Sequence, residues 1–566
     1  MSRSLEEDLR NAVRLGTLDE VRRLIDAGAK INEKDSEGKG LLHITNKLEI
    51  ASLLLDNGAN IDEKDNEGCT ALHYASEKCS VELVNLLLEK GANIHEKTTK
   101  GGTPLHKAAK GGSIEVVNLL LDRGANINEK AIRGDTPLHV TSYQGNIEIA
   151  RLLLDRGANI DEKNIDGETP FLVASKRCIR EVASLLLDRG ASIHQTDTRG
   201  FTALHSAALL GHDRFVDFLL DRGAKIIEKD KEGKTPLHYA AELDKHEVAR
   251  ILIDEGANID EYDKNGMTSL HYSIIGSENI FELLAMKMLG IKHEYKVFKL
   301  LIERQADVHK KNYAGRAPLH YVQNVEIATL LLDRGANINE KDNTGKTPLY
   351  YVQNVEIATL LLDRGANVNE KDNTGKTPLH DASSIEIATL LLDRGANLNE
   401  KDNLGKIPLN HAINSCNTKL IKVLLDAGAD ISELDFENKT FLHIAAEKGY
   451  YDFASLLLES GADINARDKY ERTPLHHAVR EGRDEVVSLL VSKGADLSLK
   501  DCRQHKPIKY AKKPEIISIL TSAEEAASRA SSEGSDRPAR WTGGAEESSK
   551  ESEDTPESLT PVEGAS

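Results

Sequence analysis

Apolar residues recur along most of this chain in one short rhythm. In Glu247-Val-Ala-Arg-Ile-Leu-Ile-Asp, Val248, Ile251 and Leu252 fall at i, i+3 and i+4, one face of a helix. Just upstream, Thr235-Pro-Leu-His-Tyr-Ala-Ala-Glu opens another helix. Thr235 suits an N-cap there, and Pro236 suits the first helical position, where a missing N–H costs nothing. Gly256 stops the second helix in the manner of a left-handed C-cap. Polar stretches with turn chemistry, such as Asn337 to Lys346, separate these helix pairs. Each repeat therefore predicts helix, short turn, helix and a looped finger.

Two markers give the period. Gly-Ala pairs begin at Gly28, Gly58, Gly91, Gly124, Gly157, Gly190, Gly223, Gly256, Gly335, Gly365, Gly395, Gly428, Gly461 and Gly494, mostly 33 residues apart and 30 apart at the second repeat and from Gly335 to Gly395. The Thr-Pro-Leu-His segment follows in the same phase at Thr103, Thr136, Thr235, Thr377 and Thr473. Two markers locked together predict one array and not several globules.

At these residues the sequence resembles the ankyrin-repeat family, over residues 5 to about 520. The resemblance implies an all-α ankyrin-repeat solenoid, with helix pairs stacked about 10 Å apart. One repeat cannot bury its apolar face alone, so neighbours supply the core. About sixteen repeats are expected, with a degenerate cap at each end. The expected organisation is a capping repeat over 1–36, repeats over 37–264 and a repeat with an insertion over 265–313. Shortened 30-residue repeats follow over 314–403, then repeats over 404–502, a capping repeat over 503–522 and a disordered acidic tail over 523–566.

Three departures stand out. The repeats at 37–66 and 314–403 lack three residues after the Pro-Leu segment, nearly one turn of the first helix. Residues 321–349 and 351–379 differ only at Ile338 against Val368, which reads as a tandem duplication. The repeat at 265–313 carries about sixteen extra residues, with Phe281, Met286 and Met288 among them, and ends in Gln305-Ala instead of Gly-Ala. Those extra residues read equally as a docking element or as an elongated helix packed on its own array. A bend or hinge is a further expectation there.

Composition narrows the function. The net charge of −19 speaks against a nucleic-acid backbone as main partner. No apolar run approaches the roughly 18 residues needed to span a bilayer. The five cysteines (Cys69, Cys79, Cys178, Cys416, Cys502) form no CxxC pair, which argues for reduced thiols and a cytoplasmic location, with the nucleus or a host cell as alternatives. The tail over 523–566, with eleven acids and four bases, is too polar to offset its ordering entropy.

No phosphate-binding, zinc-protease or nucleophile-elbow pattern appears, so no catalytic residue, cofactor or metal is expected. Eleven of the twenty histidines occupy the Pro-Leu-His position. The resemblance implies that they are buried and hydrogen-bonded between repeats. Leu172, Tyr350 and Asn410 hold the same slot without disturbing the period, which a metal ligand would not tolerate. Repeated Glu-Lys-Asp fingers read as weak pairing between repeats. The column Tyr239, Tyr272, Tyr321, Tyr351 reads as packing.

In the family, partners touch finger tips and the solvent end of the first helix. Apolar residues in those slots are therefore candidates: Ile132, Tyr143, Ile165, Phe201, Leu209 and Leu210, with Arg133, Lys176, Arg177 and Arg199 as a basic rim. A second set is Phe436, Tyr450 and Tyr470. The expected function is a monomeric, non-catalytic scaffold or adaptor that binds other proteins through its concave face. The alternatives are a tethering spacer and an effector of an intracellular bacterium acting on host proteins.

Overall fold

The structure, a computed structural model, describes residues 5–276, 294–415 and 417–533. Among them the regular elements are α-helices and short 3-10 helices; strand-like pairing is limited to an isolated bridge between Tyr262 and Thr268. Two compact units are distinguished, Met1–Ile407 and Pro408–Ser566.

In the first unit each full repeat is an antiparallel helix pair. Pro137–Gln144 packs on Ile147–Asp155, and both pack on their counterparts Pro170–Lys176 and Arg180–Asp188 in the next repeat. The leucine of Pro-Leu-His and the second-helix stripe meet between repeats: Leu138, Ala150 and Leu153 are wholly buried. Burying a leucine contributes about 1.5–3 kcal/mol. Gly157 follows the second helix at φ +86°, with open space around a hypothetical Cβ, so the left-handed backbone alone explains this glycine.

The histidines bind the repeats together. The Thr136 N–H donates to His139 Nδ1 at 3.1 Å, and His139 Nε2 donates to the Glu168 carbonyl of the next repeat at 3.0 Å. His73, His106, His205 and His238 repeat this pattern. Burial disfavours the charged ring and pushes His73, His238 and His271 down to about 4. Tyr350 fills the histidine slot by other means, its hydroxyl reaching the Lys376 carbonyl as His380 reaches that of Lys406. Finger charges also pair across repeats, as in Lys64–Glu96, Lys97–Glu129 and Lys130–Glu162, each at 2.5 Å.

Loss of three residues shortens the first helix as its length predicts. Leu41–Ile44 is four residues long, and Pro318–Tyr321, Pro348–Tyr350 and Pro378–Asp381 are 3-10 helices, against seven or eight residues in full repeats. In these 3-10 helices, i→i+3 bonds replace the i→i+4 bonds of a full helix, whereas Leu41–Ile44 keeps one, from the Thr45 N–H to the Leu41 carbonyl at 3.3 Å. Helices Ser269–Ile275 and Lys296–Glu303 flank the insertion, and Gln305 takes φ +63° in the slot glycine fills elsewhere. Phe281, Met286 and Met288 lie outside the described residues.

The second unit pairs Pro408–Asn414 with Thr418–Asp426, Phe441–Lys448 with Tyr451–Glu459, and Pro474–Arg480 with Asp484–Ser492. A 3-10 turn, Pro507–Tyr510, precedes the last helix, Pro514–Glu533. That helix corrects the expected start of the tail at 523. Ala523-Glu-Glu-Ala-Ala are strong helix formers, and the first glycine comes only at Gly534. The tail expected beyond Glu533 lies outside the described residues, as does Cys416.

Candidate functional site

Most fingers are built on one carboxylate. Asp65 Oδ1 accepts the N–H groups of Glu67 and Cys69 at 2.9 and 2.8 Å, closing the turn, while Oδ2 accepts the Tyr74 hydroxyl at 2.7 Å. Burial alone would raise the Asp65 pKa, but these three donors hold it below the usual carboxylate range. The same clasp, nine residues apart, joins Asp230 to Tyr239 at 2.5 Å, Asp263 to Tyr272 at 2.7 Å and Asp342 to Tyr351 at 2.6 Å. In the second unit His477 takes the tyrosine's place on Asp468 at 2.8 Å. The tyrosine column therefore packs, as expected, and also ties each finger to its own helix.

Finger tips are joined by a second device. The Ile132 N–H donates to the Lys100 carbonyl at 3.0 Å, Ile165 to Arg133 at 2.9 Å, Thr198 to Asp166 at 2.8 Å and Lys231 to Arg199 at 2.9 Å. This close approach needs glycine: at Gly167, φ +75°, a Cβ would stand 2.8 Å from the Thr198 nitrogen.

Four consecutive repeats lack the clasp. Its paired positions are Thr98 and Lys107, Ala131 and Val140, Asn164 and Val173, and Asp197 and Ser206. The finger turns survive where a side-chain oxygen remains: Asn164 Oδ1 accepts the Asp166 and Glu168 N–H groups at 3.1 and 3.0 Å, and Thr98 Oγ1 that of Gly102 at 3.1 Å. What is lost is the ring between finger and helix. There a groove of about 890 Å³ opens, with Val140, Tyr143, Val173, Leu209 and Leu210 as its apolar lining.

The structure gathers Tyr143, Leu209 and Leu210 in this groove with Arg133, Lys176, Arg177 and Arg199, all named from the sequence. Tyr143 and Leu210 are about half exposed, and Leu209 is half-buried. Ile132 and Ile165, 69% and 62% exposed, stand on the finger tips outside the lining. Phe201 is corrected: at 5% exposure it presents almost no surface. Its N–H closes the finger on Asp197 at 2.9 Å, which turns the ring inward to lie 4.9 Å from Tyr239, beneath the Arg199 guanidinium at 4.0 Å. Val140, Val173, Ser206, Lys100 and Lys110 also line the groove and were not singled out from sequence.

The basic side chains differ in availability. Arg133 meets Asp166 at 2.5 Å, Lys176 meets Glu168 at 2.9 Å and Lys110 meets Glu77 at 2.7 Å. Arg199 is held by Asp197 at 2.9 Å. Arg177 instead lies 4.4 Å over the Tyr143 ring, and neither it nor Lys100 has an ion-pair partner among the described residues. His139, the histidine in the lining, has both ring nitrogens engaged.

The second candidate set is dispersed. Phe436 is 90% exposed at a finger tip, Tyr470 lies beside Arg472 at 4.9 Å, and Tyr450 is half-buried ahead of helix Tyr451–Glu459. A depression in this unit is formed by Lys419, Lys422, Tyr451 and Leu456 and includes none of the three.

Among the described residues no group of three or more His, Cys, Asp and Glu side chains is placed to hold a metal ion, and no helix is long and apolar enough to cross a membrane. Comparison with curated proteins finds no match to the chain. The family model for ankyrin repeats (three copies) matches residues 9–98, 81–164, 157–230, 226–296, 287–372, 323–402, 384–468 and 409–501. These matches together span most of the chain, and the chain belongs to the ankyrin-repeat family.

Proposed function

We propose that this chain is a non-catalytic scaffold or adaptor that binds other proteins across the groove of residues 98–210. Ankyrin repeats are generally protein-interaction modules. The observation that carries the reading here is the apolar groove opened by four successive missing clasps, edged by basic side chains. A cavity of about 890 Å³ takes several side chains of a partner, the kind of pocket in which anchor residues concentrate binding energy. The chemistry in reach favours binding over catalysis. His139 is committed to the framework, and burial pushes the thiol of nearby Cys178 up to about 11, away from nucleophilic thiolate.

Affinity purification with the full chain, against a Tyr143→Ala, Leu210→Glu double variant, tests this. Both side chains are exposed enough for far-UV circular dichroism to stay unchanged. At least one stoichiometric protein partner should be lost. An identical partner set from both chains would overturn the groove as the binding surface.

A further inference from the structure

The groove's charge runs against that of the chain. Two residues after the finger base most repeats place an acid or a neutral polar group, as in Glu37, Glu67, Glu232, Asn265, Thr344 and Glu437. Beside the groove this slot holds Lys100, Arg133, Asp166 and Arg199. The tip-to-tip hydrogen bonds set these four side chains in a row along one margin. Lys110, Lys176 and Arg177, at the ends of first helices, add further positive charge. The lining carries six basic side chains against three acidic ones, a net of +3, in a chain whose total is −19.

The three acids are already engaged. Asp166 pairs with Arg133, Glu168 with Lys176, and Asp135 accepts the Asn164 amide at 2.9 Å. Lys100 and Arg177 are therefore the cations left to meet a ligand, and Arg177 does so over an aromatic ring. A guanidinium stacked on tyrosine presents its edge N–H groups to a carboxylate while its face stays covered.

Resting on the proposed protein-binding role, we infer that the groove's partner is an extended acidic segment of another protein. Its apolar side chains lie against Tyr143, Leu209 and Leu210, and its carboxylates meet Lys100 and Arg177. Spacing of charge separates this ligand from a nucleic acid. A phosphate at every nucleotide would meet Asp135, Asp166 and Glu168 as well as the bases, whereas carboxylates interspersed with apolar residues need not.

Selection of a phage-displayed random dodecapeptide library on the immobilised full chain tests the inference. Enriched peptides, resynthesised with a fluorophore, are then titrated by anisotropy against the full chain and against Lys100→Glu, Arg177→Glu and Leu210→Glu variants. The expected peptides are rich in Asp and Glu interspersed with Leu, Phe or Tyr. They should lose tenfold or more in affinity with the Lys100→Glu, Arg177→Glu double variant, and weaken when salt rises from 50 to 300 mM. Peptides that depend on Leu210 but carry neutral or basic charge would overturn the acidic partner and leave the groove as a protein-binding site. Absence of any peptide that depends on Leu210 would overturn both. Poly(U) displacing the peptide at comparable affinity would overturn the choice of peptide over nucleic acid.

Discussion

The repeats from Asp230 to Tyr272 and those from Thr98 to Ser206 share one framework and differ in one interaction. In the first group a carboxylate and a phenol close the angle between finger and helix, at 2.5 and 2.7 Å. In the second group the histidine bonds, buried leucines and joined finger tips persist, and the angle stands open. Binding surface thus arises here by subtraction. The stacking core is not touched, and a closing pair is withheld over four repeats in succession.

Acid should test the shared part of that comparison most severely. Burial holds His238 and His271 in the clasped repeats near 4, and holds His106, His139 and His205 in the open ones below their ordinary 6.5. The unfolded chain then binds more protons than the folded chain below pH 6.5. Stability is full above that value and falls as pH drops toward 4, by about 1.4 kcal/mol per unit for His238 and for His271, with His106, His139 and His205 adding in the same direction. Melts at pH 7 and pH 5 should show a lower Tm at pH 5, with amide exchange rising in both groups. Faster exchange confined to one group would break the claim of a common framework.

Core truncation is the next largest effect. Leu138→Ala and Leu237→Ala, both buried, should each cost about 2–5 kcal/mol in urea denaturation, because the cavity forms in the same place. A much cheaper Leu138→Ala would mean that the open repeats are loosely packed. Tyr239→Phe removes the clasp hydroxyl and leaves Asp230 short of a donor, at about 1–3 kcal/mol. Conversely, Ser206→Tyr puts a ring back opposite Asp197 and should abolish groove binding without loss of helicity. Retained binding would show that the missing ring is not what opens the site. Lys64→Ala, which breaks a half-exposed pair with Glu96, should change stability by less than about 1 kcal/mol. The Lys–Glu pairs join both groups alike, so a larger loss would make them part of the framework.

Much of this was legible in the chain. Period, helix pairs, the histidines' structural role and the shortened first helices follow from capping residues and lengths, which act locally. Phe201 misled because its slot is polar or small in many repeats, such as Gly102 and Lys234, so an apolar residue there suggested exposure. The slot instead sits at the finger's base, where a ring can turn under Arg199 and against a neighbouring tyrosine. Val140, Val173 and Ser206 escaped notice for the opposite reason. A small residue in this slot is conspicuous only once other repeats show a phenol there, bonded to an aspartate nine positions earlier; here those earlier positions hold Ala131, Asn164 and Asp197. Lys100 and Lys110 become groove residues only through that same absence. The helix that continues to Glu533 was hidden by acidic composition, which signals poor burial and not poor helix formation.

The bonds between successive finger tips have a consequence for how such a surface changes over time. Each loop beside the groove is braced by the one before it, so the recognition side chains are arranged before any ligand arrives, and little motion remains to be frozen on contact. Variation can then proceed by exchanging side chains on a fixed lattice, or by copying whole rungs. The near-copies at 321–349 and 351–379 show such a rung already doubled, and rungs carrying Lys100 or Arg133 are open to the same lengthening.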